Sequence, residues 1–301
     1  MEELKLLVQM HSNQERQGPG SRRTTEQALE LAGLNQAKGL NIADIGCGTG
    51  AATLVLAGLP SARITAIDIF PEFLSILGER ARKEDLSSRI VPTEASMDQL
   101  PFQPEEFDVI WSEGAIYNMG FRNGLNQWRP YLKKSGIIAV SEITWLTPTR
   151  PGEIQEFWDS QYPEMGTASE KIAIMEEAGY KILGYFPLPE SGWLDNYYRP
   201  LEDRFPAFLD EQNQSEAAKT LVENERQEIE LYRKYSATYS YGFYIGMKLP
   251  EVTPKWMELT PVNVPLFRCH TFHSLPQHFL KAAIWQERCA RLAQPFPVTG
   301  R

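Results

Sequence analysis

Cysteine is scarce in this chain. There are three in 301 residues, at positions 47, 269 and 289, with no Cys-x-x-Cys pair. An odd, scattered set supports neither a disulfide framework nor a structural zinc site. Positive charge is also short: 30 Lys and Arg stand against 39 Asp and Glu, for a formal net charge of −9 and a pI near 5.2. The basic stripe that tracks a phosphate backbone is missing, so nucleic acid is not an expected partner. No apolar run approaches the ~20 residues of a membrane span. The opening Met1-Glu2-Glu3-Leu4-Lys5-Leu6-Leu7 is too short and too acidic for a signal peptide. The expectation is a cytoplasmic chain with no membrane partner, long enough for one large α/β domain with an appendage.

What the chain does have is alternation. Residues 40–45, 63–68, 89–94, 107–112 and 137–142 read as strands. Helical patterns separate them at 51–59, at 71–84, where Pro71 suits the first turn, and at 122–133. The last closes on Lys133-Lys134-Ser135-Gly136, read as a helix stop with cations in its final turn. Strands alternating with helices imply a parallel sheet with helices on both faces. Beyond the fifth strand the rhythm changes. A helix at 169–178 and a strand at 180–188 resume it. An insertion over about 189–238 then carries Trp193, Tyr197 and Tyr198 in its loop part and a charged helix at 215–235. A final strand covers 239–249, rich in aromatic and β-branched residues. Residues 1–39 form a helical N-terminal region around the turn Arg16-Gln17-Gly18-Pro19-Gly20-Ser21. That turn is either punctuation or a lid folded over the main domain, 40–249. Residues 250–301 form a proline-rich tail or small appendage. Cys269, His270, His273 and His278 in it match no standard zinc spacing, and no metal is expected.

The organising stretch is Asn41-Ile42-Ala43-Asp44-Ile45-Gly46-Cys47-Gly48-Thr49-Gly50, a strand running into a glycine-rich turn and then a helix. Glycines let the backbone approach a ligand closely, and the N–H groups of the helix start face the same place. The spacing is GxGxG, not the GxGxxG of dinucleotide folds. No lysine follows in the P-loop manner to compensate a phosphate. Asp68 stands at the end of the second strand, where a carboxylate accepts hydrogen bonds from ribose hydroxyls. The ligand these features describe is a nucleoside with an amino-acid-like end.

Five blocks now stand in order: Ala43–Gly50, Ile67-Asp68, Leu100-Pro101-Phe102, Phe107-Asp108-Val109-Ile110-Trp111-Ser112 and Leu132-Lys133-Lys134-Ser135-Gly136. Together they resemble the class I S-adenosylmethionine-dependent methyltransferases, in the small-molecule branch near the ubiquinone/menaquinone-type enzymes. The turn Glu15–Gly20 and Ser112-Glu113-Gly114-Ala115-Ile116-Tyr117-Asn118 also resemble an uncharacterised bacterial subgroup. The resemblance covers about 15–249. It implies a Rossmann-like, mostly parallel seven-stranded sheet whose last strand is antiparallel and preceded by a helical insertion. It also implies S-adenosyl-L-methionine as cofactor. Asp44 would act on the methionyl ammonium through the loop, with Gly46 and Gly48 admitting the methionyl backbone. Asp68 would take the ribose, and Ile69 and Met97 would flank the adenine. Ser112 and Gly114 would lie beneath the methionyl group, and Arg16 and Gly18 would join from the N-terminal turn. Where the family often has an aspartate reading the adenine amine, this chain has Ser96, with Asp98 two residues on; a serine hydroxyl still accepts.

The acceptor would sit above strands four and five, among Glu113–Asn118, Glu142–Trp145 and the 189–200 segment. Tyr117, Glu142, Trp145, Trp193 and Tyr197 are candidate contacts, with cation–π contact or core packing as their two readings. Glu113, Tyr117, Glu142 and His11 are the candidates for a base, if the acceptor needs one. Cys47 has no base or resolving thiol identifiable beside it and does not read as a nucleophile. The Asn/Asp-Pro-Pro-Tyr signature of nucleobase amino-methylating enzymes is absent after the fourth strand, and the thiols of an arsenite methyltransferase are lacking. A small-molecule metabolite is the expected acceptor, and a homodimer is an allowed assembly. A catalytically silent S-adenosylmethionine-binding regulatory module is the second reading, and an RNA methyltransferase the third.

Overall fold

The computed structural model describes residues 2–250. In chain order the elements are α1 (Glu2–Ser12), α2 (Arg22–Leu31), β1 (Asn41–Ile45), α3 (Ala51–Ala57), β2 (Arg63–Asp68), α4 (Pro71–Lys83), β3 (Ile90–Glu94), β4 (Phe107–Glu113), α5 (Phe121–Trp128), β5 (Leu132–Trp145), α6 (Gly152–Gln161), β6 (Gly166–Thr167), α7 (Ala168–Glu177), β7 (Tyr180–Pro187), α8 (Glu190–Trp193), α9 (Arg199–Glu211), α10 (Glu216–Tyr235) and β8 (Tyr239–Lys248). The sheet runs β3-β2-β1-β4-β5-β8-β7, with the two-residue β6 beside β5. β8 runs antiparallel between β5 and β7, and the other pairings are parallel. The expected seven strands are present. β6 makes an eighth, and two residues are too few to leave a pattern in the sequence.

The order explains where a ligand sits. The chain winds outward from β1 to β3, then returns to lay β4 against the other side of β1. The carboxyl ends of β1 and β4 therefore face a crevice that no crossover covers, the usual ligand position in an open α/β sheet. β1 and β4 are buried almost throughout, as central parallel strands covered on both faces must be. One face packs on α3 and α4 with Leu6, Leu7 and Met10 of α1 and the aromatics of α8–α10. The other packs on α5 and α7 through Phe121, Leu125, Trp128 and Met175. Each such side chain contributes about 1.5–3 kcal/mol by leaving water.

Local chemistry sets the helix ends. Ser21 caps α2 in a reciprocal box with Thr24, and Thr167 caps α7 with Glu170. Pro71 opens α4, which closes on Arg80, Arg82 and Lys83.

Two local expectations are corrected. Lys133–Gly136 is not a helix stop. α5 ends at Trp128, and β5 begins at Leu132. Leu132 pairs with Phe107 and Ile137 with Val109, so the intervening residues bulge out of the ladder. Lys133 Nζ there reaches Asp108 at 2.9 Å; its cation answers a carboxylate, not a helix end. Trp193, Tyr197 and Tyr198 do not lie in a loop. α8, a π-turn over Leu194–Tyr198 and α9 run on continuously. Pro200 stands where the π-turn passes into α9, and Pro206 lies inside α9. Trp193, Tyr197, Leu201, Phe205 and Phe208 recur at helical spacing and are buried.

Candidate active site

The crevice is floored by the loop after β1. Gly46 and Cys47 donate their N–H groups to the Ile67 carbonyl at 2.8 and 2.9 Å, folding the loop onto the end of β2. Gly46 has φ 74°, and a Cβ there would stand 2.4 Å from the Ala115 methyl. Gly48 has φ 55°, and its Cβ would stand 2.3 Å from Gln17 Oε1. Both positions need glycine for conformation, and Gly46 for space as well.

Two carboxylates stand at the loop. Asp44 is 1 % exposed and accepts from Thr53 Oγ1 at 2.6 Å. Burial, opposed by the Thr53 bond and aided by Glu113 and Asp68, pushes its pKa up to about 7. Asp68 accepts the Gly48 N–H at 2.8 Å on Oδ2 and the Phe70 N–H at 3.0 Å on Oδ1. Burial raises its pKa too, against those backbone donors. Each Asp68 oxygen keeps acceptor capacity beyond the bond it makes. Burial likewise holds Cys47 as a thiol, its pKa raised well above the usual value.

The turn after α1 lies on this loop. Gln17 Oε1 accepts the Thr49 N–H at 2.8 Å, and its Nε2 donates to Thr49 Oγ1 at 3.0 Å. Arg80 of α4 clamps the same junction, donating to the carbonyls of Glu15, Gln14 and Thr49 at 2.9, 2.9 and 3.0 Å. Arg16 pairs with Glu113 at 2.8 Å, both nearly buried. Glu113 also accepts from Thr25 Oγ1 at 2.7 Å and Trp111 Nε1 at 3.0 Å. So Glu113, a candidate base, is held by three donors, whereas the planar guanidinium of Arg16 has donors to spare.

These groups enclose one cavity of about 240 Å³. Arg16, Gly18, Asp44, Gly46, Gly48, Asp68, Ile69, Ser96, Met97 and Gly114 all line it. Ser112 does not: its hydroxyl is spent on the Ile45 carbonyl at 2.8 Å, pinning β4 to β1. At the open end Ile69 is 54 % exposed. Ser96 there donates to Asp98, and both residues line the wall. Phe70, Phe73 and Ala95, unforeseen from the sequence, complete the apolar part. Acids at one end, an arginine beside them and an apolar slot opposite suit a nucleoside with a charged amino-acid end.

Residues 42–136 match the family model of a methyltransferase domain. The chain carries a methyltransferase domain. Over 128 residues it is 32 % identical to the erythromycin 3''-O-methyltransferase of Saccharopolyspora erythraea, covering 42 % of this chain and 41 % of that one. Over 155 residues it is 30 % identical to the ubiquinone/menaquinone biosynthesis C-methyltransferase of Rhizobium leguminosarum bv. trifolii, covering 50 % and 60 %. The chain thus spans about half the length of the curated relatives it matches. In fold it is similar to a SAM-dependent methyltransferase from Geobacter sulfurreducens solved with S-adenosyl-L-homocysteine. The TM-score is 0.71 at 16 % identity, over 81 % of this chain and 98 % of that one.

The chain has a second, smaller cavity of about 70 Å³ beside the first. Gln17, Gly18, Pro19, Gly114 and Tyr117 line both. His11, Tyr117, Trp193 and Tyr197 line the second cavity, and the His11 and Tyr197 rings stack 6.1 Å apart. Trp145 lies in neither wall, packing against Tyr239 with Arg150 over its ring. Glu142 lies in neither wall as well. It is fully buried and paired with Lys171 Nζ at 2.9 Å. Burial raises its pKa while Lys171 opposes the rise. Sequence reasoning missed Trp158, Tyr162, Tyr241, Glu225 and Glu228 in the second wall. A signal for the last two was there. They fall on the stripe Ala218, Val222, Glu225, Glu228, Ile229, Tyr232 that buries α10, where carboxylates do not belong without a reason.

Proposed function

We propose that this protein is an S-adenosylmethionine-dependent methyltransferase acting on a small-molecule acceptor by direct in-line transfer. The carrying observation is the convergence of Asp44, Asp68, Arg16 and the glycine loop on one cavity at the β1/β4 switch point. Bound there, S-adenosylmethionine supplies a sulfonium methyl whose C–S electron pair stays with sulfur when an acceptor lone pair attacks carbon. The residues around it bind and align. Asp68 takes the ribose hydroxyls, Asp44 and the loop the ammonium, and Arg16 the carboxylate. Ile69 and Met97 flank the adenine, with Ser96 and Asp98 at its edge. Gly114 and Tyr117, shared by both cavities, mark where donor and acceptor meet. Holding two reactants in line is worth roughly 7–11 kcal/mol of barrier in favourable cases. The small volume of the second cavity supports a metabolite over a macromolecule. So do relatives named for erythromycin and 27-O-demethylrifamycin SV. Among the described residues no helix is long and apolar enough to cross a membrane.

Calorimetry of the full chain with S-adenosylmethionine tests the reading; a micromolar Kd is expected. Cell extract incubated with the protein and methyl-labelled cofactor is expected to yield a labelled small product by mass spectrometry. Absence of cofactor binding by the folded protein would sink the reading.

A further inference from the structure

Three buried indoles donate their N–H to the protein. Trp111 Nε1 reaches Glu113 at 3.0 Å, Trp128 Nε1 the Met97 carbonyl at 2.9 Å and Trp193 Nε1 Ser240 Oγ at 2.9 Å. Trp158 breaks the pattern. Its side chain is 6 % exposed, and its buried Nε1–H has no hydrogen-bond acceptor among the described residues. A buried donor left unmatched is rare unless a ligand or water completes it.

The position of Trp158 gives that donor a use. It stands on α6 and lines the smaller cavity, as Trp193 does. The indole packs edge-on against Tyr239, 5.3 Å between centroids, which limits its freedom to turn. Trp193 has spent its N–H on Ser240, so of the two indoles in this wall Trp158 is the one with a donor left for a ligand.

The rest of the wall asks for no charge. Glu225 and Glu228 are engaged within the chain, Glu228 by the Tyr198 hydroxyl at 3.2 Å. Among the described residues of this wall there is no lysine or arginine. A ligand anion would be buried here without a cation, and a ligand cation would meet carboxyl groups that already have partners. Leu7, Pro19, Ile143 and the rings of Tyr117, Tyr197 and Tyr241 offer apolar contact.

We infer that this cavity takes a small uncharged molecule with an apolar body and a hydrogen-bond-accepting oxygen such as a carbonyl, and that the methyl acceptor belongs to this class. The oxygen accepts from Trp158 Nε1–H, which makes Trp158 a specificity-determining residue. The atom to be methylated lies toward Gly114 and Tyr117, which line both cavities. The inference rests on the proposed methyltransferase function for the neighbouring cavity but is separately testable.

The test uses the full chain with its seven tryptophans isotope-labelled on the indole nitrogen. It is saturated with S-adenosylhomocysteine, whose own binding is measured first. Cyclopentanone and methylenecyclopentane, which differ only in a carbonyl oxygen against a methylene carbon, are titrated while the indole N–H resonances are followed by NMR. The ketone is expected to move one indole proton downfield to saturation, and the alkene to leave it in place. Trp158→Phe is expected to remove that resonance and to lower the ketone's affinity relative to the alkene's about 2- to 12-fold, the net worth of one hydrogen bond. Cyclopentylamine, cationic at neutral pH, and cyclobutanecarboxylate, anionic, are expected to bind at least about tenfold more weakly than the ketone. A wild-type chain in which no indole resonance separates ketone from alkene overturns the inference. So does equal or tighter binding of either charged probe, and neither arm needs a variant to fold. A shifting resonance that survives in Trp158→Phe overturns it too. If S-adenosylhomocysteine itself fails to bind, the methyltransferase reading falls instead, so the two failures are distinct.

Discussion

The two cavities that meet at Gly114 and Tyr117 are built in opposite ways. The larger is assembled from strand ends and the turns that follow them: Asp44 to Gly48, Asp68 to Phe70, Ala95 to Asp98 and Glu113 to Ala115. Its polar groups are mostly backbone N–H groups and carboxylates held by the sheet, joined by Arg16 and Gln17 from the turn after α1. The smaller is assembled from helices remote in sequence, α1, α6, α8 and α10, and its polar groups are carried on long side chains amid aromatics. A site on strand ends keeps its geometry as long as the sheet stands. A site between helices can be reshaped by repacking them, without disturbing the sheet. That division suits a fold in which one cofactor serves many acceptors.

The sharpest way to break one side alone is to remove the cation beneath the smaller cavity. Lys171 is 1 % exposed, pairs with the fully buried Glu142 and lies 5.1 Å from the Tyr162 ring centroid. Lys171→Met strands a buried carboxylate, and a loss of about 3–5 kcal/mol in urea unfolding is expected. S-adenosylmethionine affinity of the folded fraction should hold. A matching fall in that affinity would mean that the two cavities are one mechanical unit.

The converse break is Gly46→Ala. The new methyl meets Ala115 Cβ, a short side chain that cannot swing away, at a left-handed φ. Left-handed backbone costs about 1–2 kcal/mol for an alanine and the clash about 1–3 more. Cofactor binding is expected to vanish in calorimetry while circular dichroism keeps the α/β signature. Retained binding would show that the loop shifts freely and is not the cradle it resembles.

The same contrast explains what could be read without coordinates. The glycine loop, Asp68 and the strand order lie in short contiguous motifs, each dictated by local backbone needs, so the fold and the residues that gather at the larger cavity were legible. Arg16 and Gly18 were reachable only through resemblance, because nothing local says that a turn after α1 will lie on Thr49 through Gln17. Glu225 and Glu228 were signalled only by the buried stripe of a helix that otherwise reads as charged. Their burial depends on α8 and α9 closing over α10, a tertiary fact. Glu142 drew attention as a base, and Lys171, which pairs with it, lies 29 positions away on α7. Ser112 fell in a family motif, yet its hydroxyl serves the sheet.

A milder probe of the cofactor side is Asp68→Asn. The amide is nearly isosteric and can keep one acceptor for the Gly48 N–H, but it replaces a charged acceptor by a neutral one. Hydrogen bonds to charged groups are worth about 1.5–3 kcal/mol, so affinity for S-adenosylmethionine should fall about 10- to 100-fold. An unchanged affinity would remove Asp68 from the ribose site.

The smallest effect discriminates most finely, because it asks whether Asp44 senses the ligand's charge. In the free protein burial holds its pKa near 7, so near neutrality the carboxyl is partly protonated. A ligand ammonium nearby favours the ionised form and lowers that pKa, so binding expels a proton. The sign follows: affinity rises with pH between about 5.5 and 7 and flattens above, by at most about tenfold per pH unit. Calorimetry in two buffers of different ionisation enthalpy counts the protons released. Asp44→Asn, which cannot ionise, should bind more weakly at pH 7 and show no release. If the wild-type protein expels no proton, Asp44 is a strand-end residue held by Thr53 and the ammonium is neutralised elsewhere in the loop. That result would leave Asp68 and Arg16 as the charge-reading groups of the cavity.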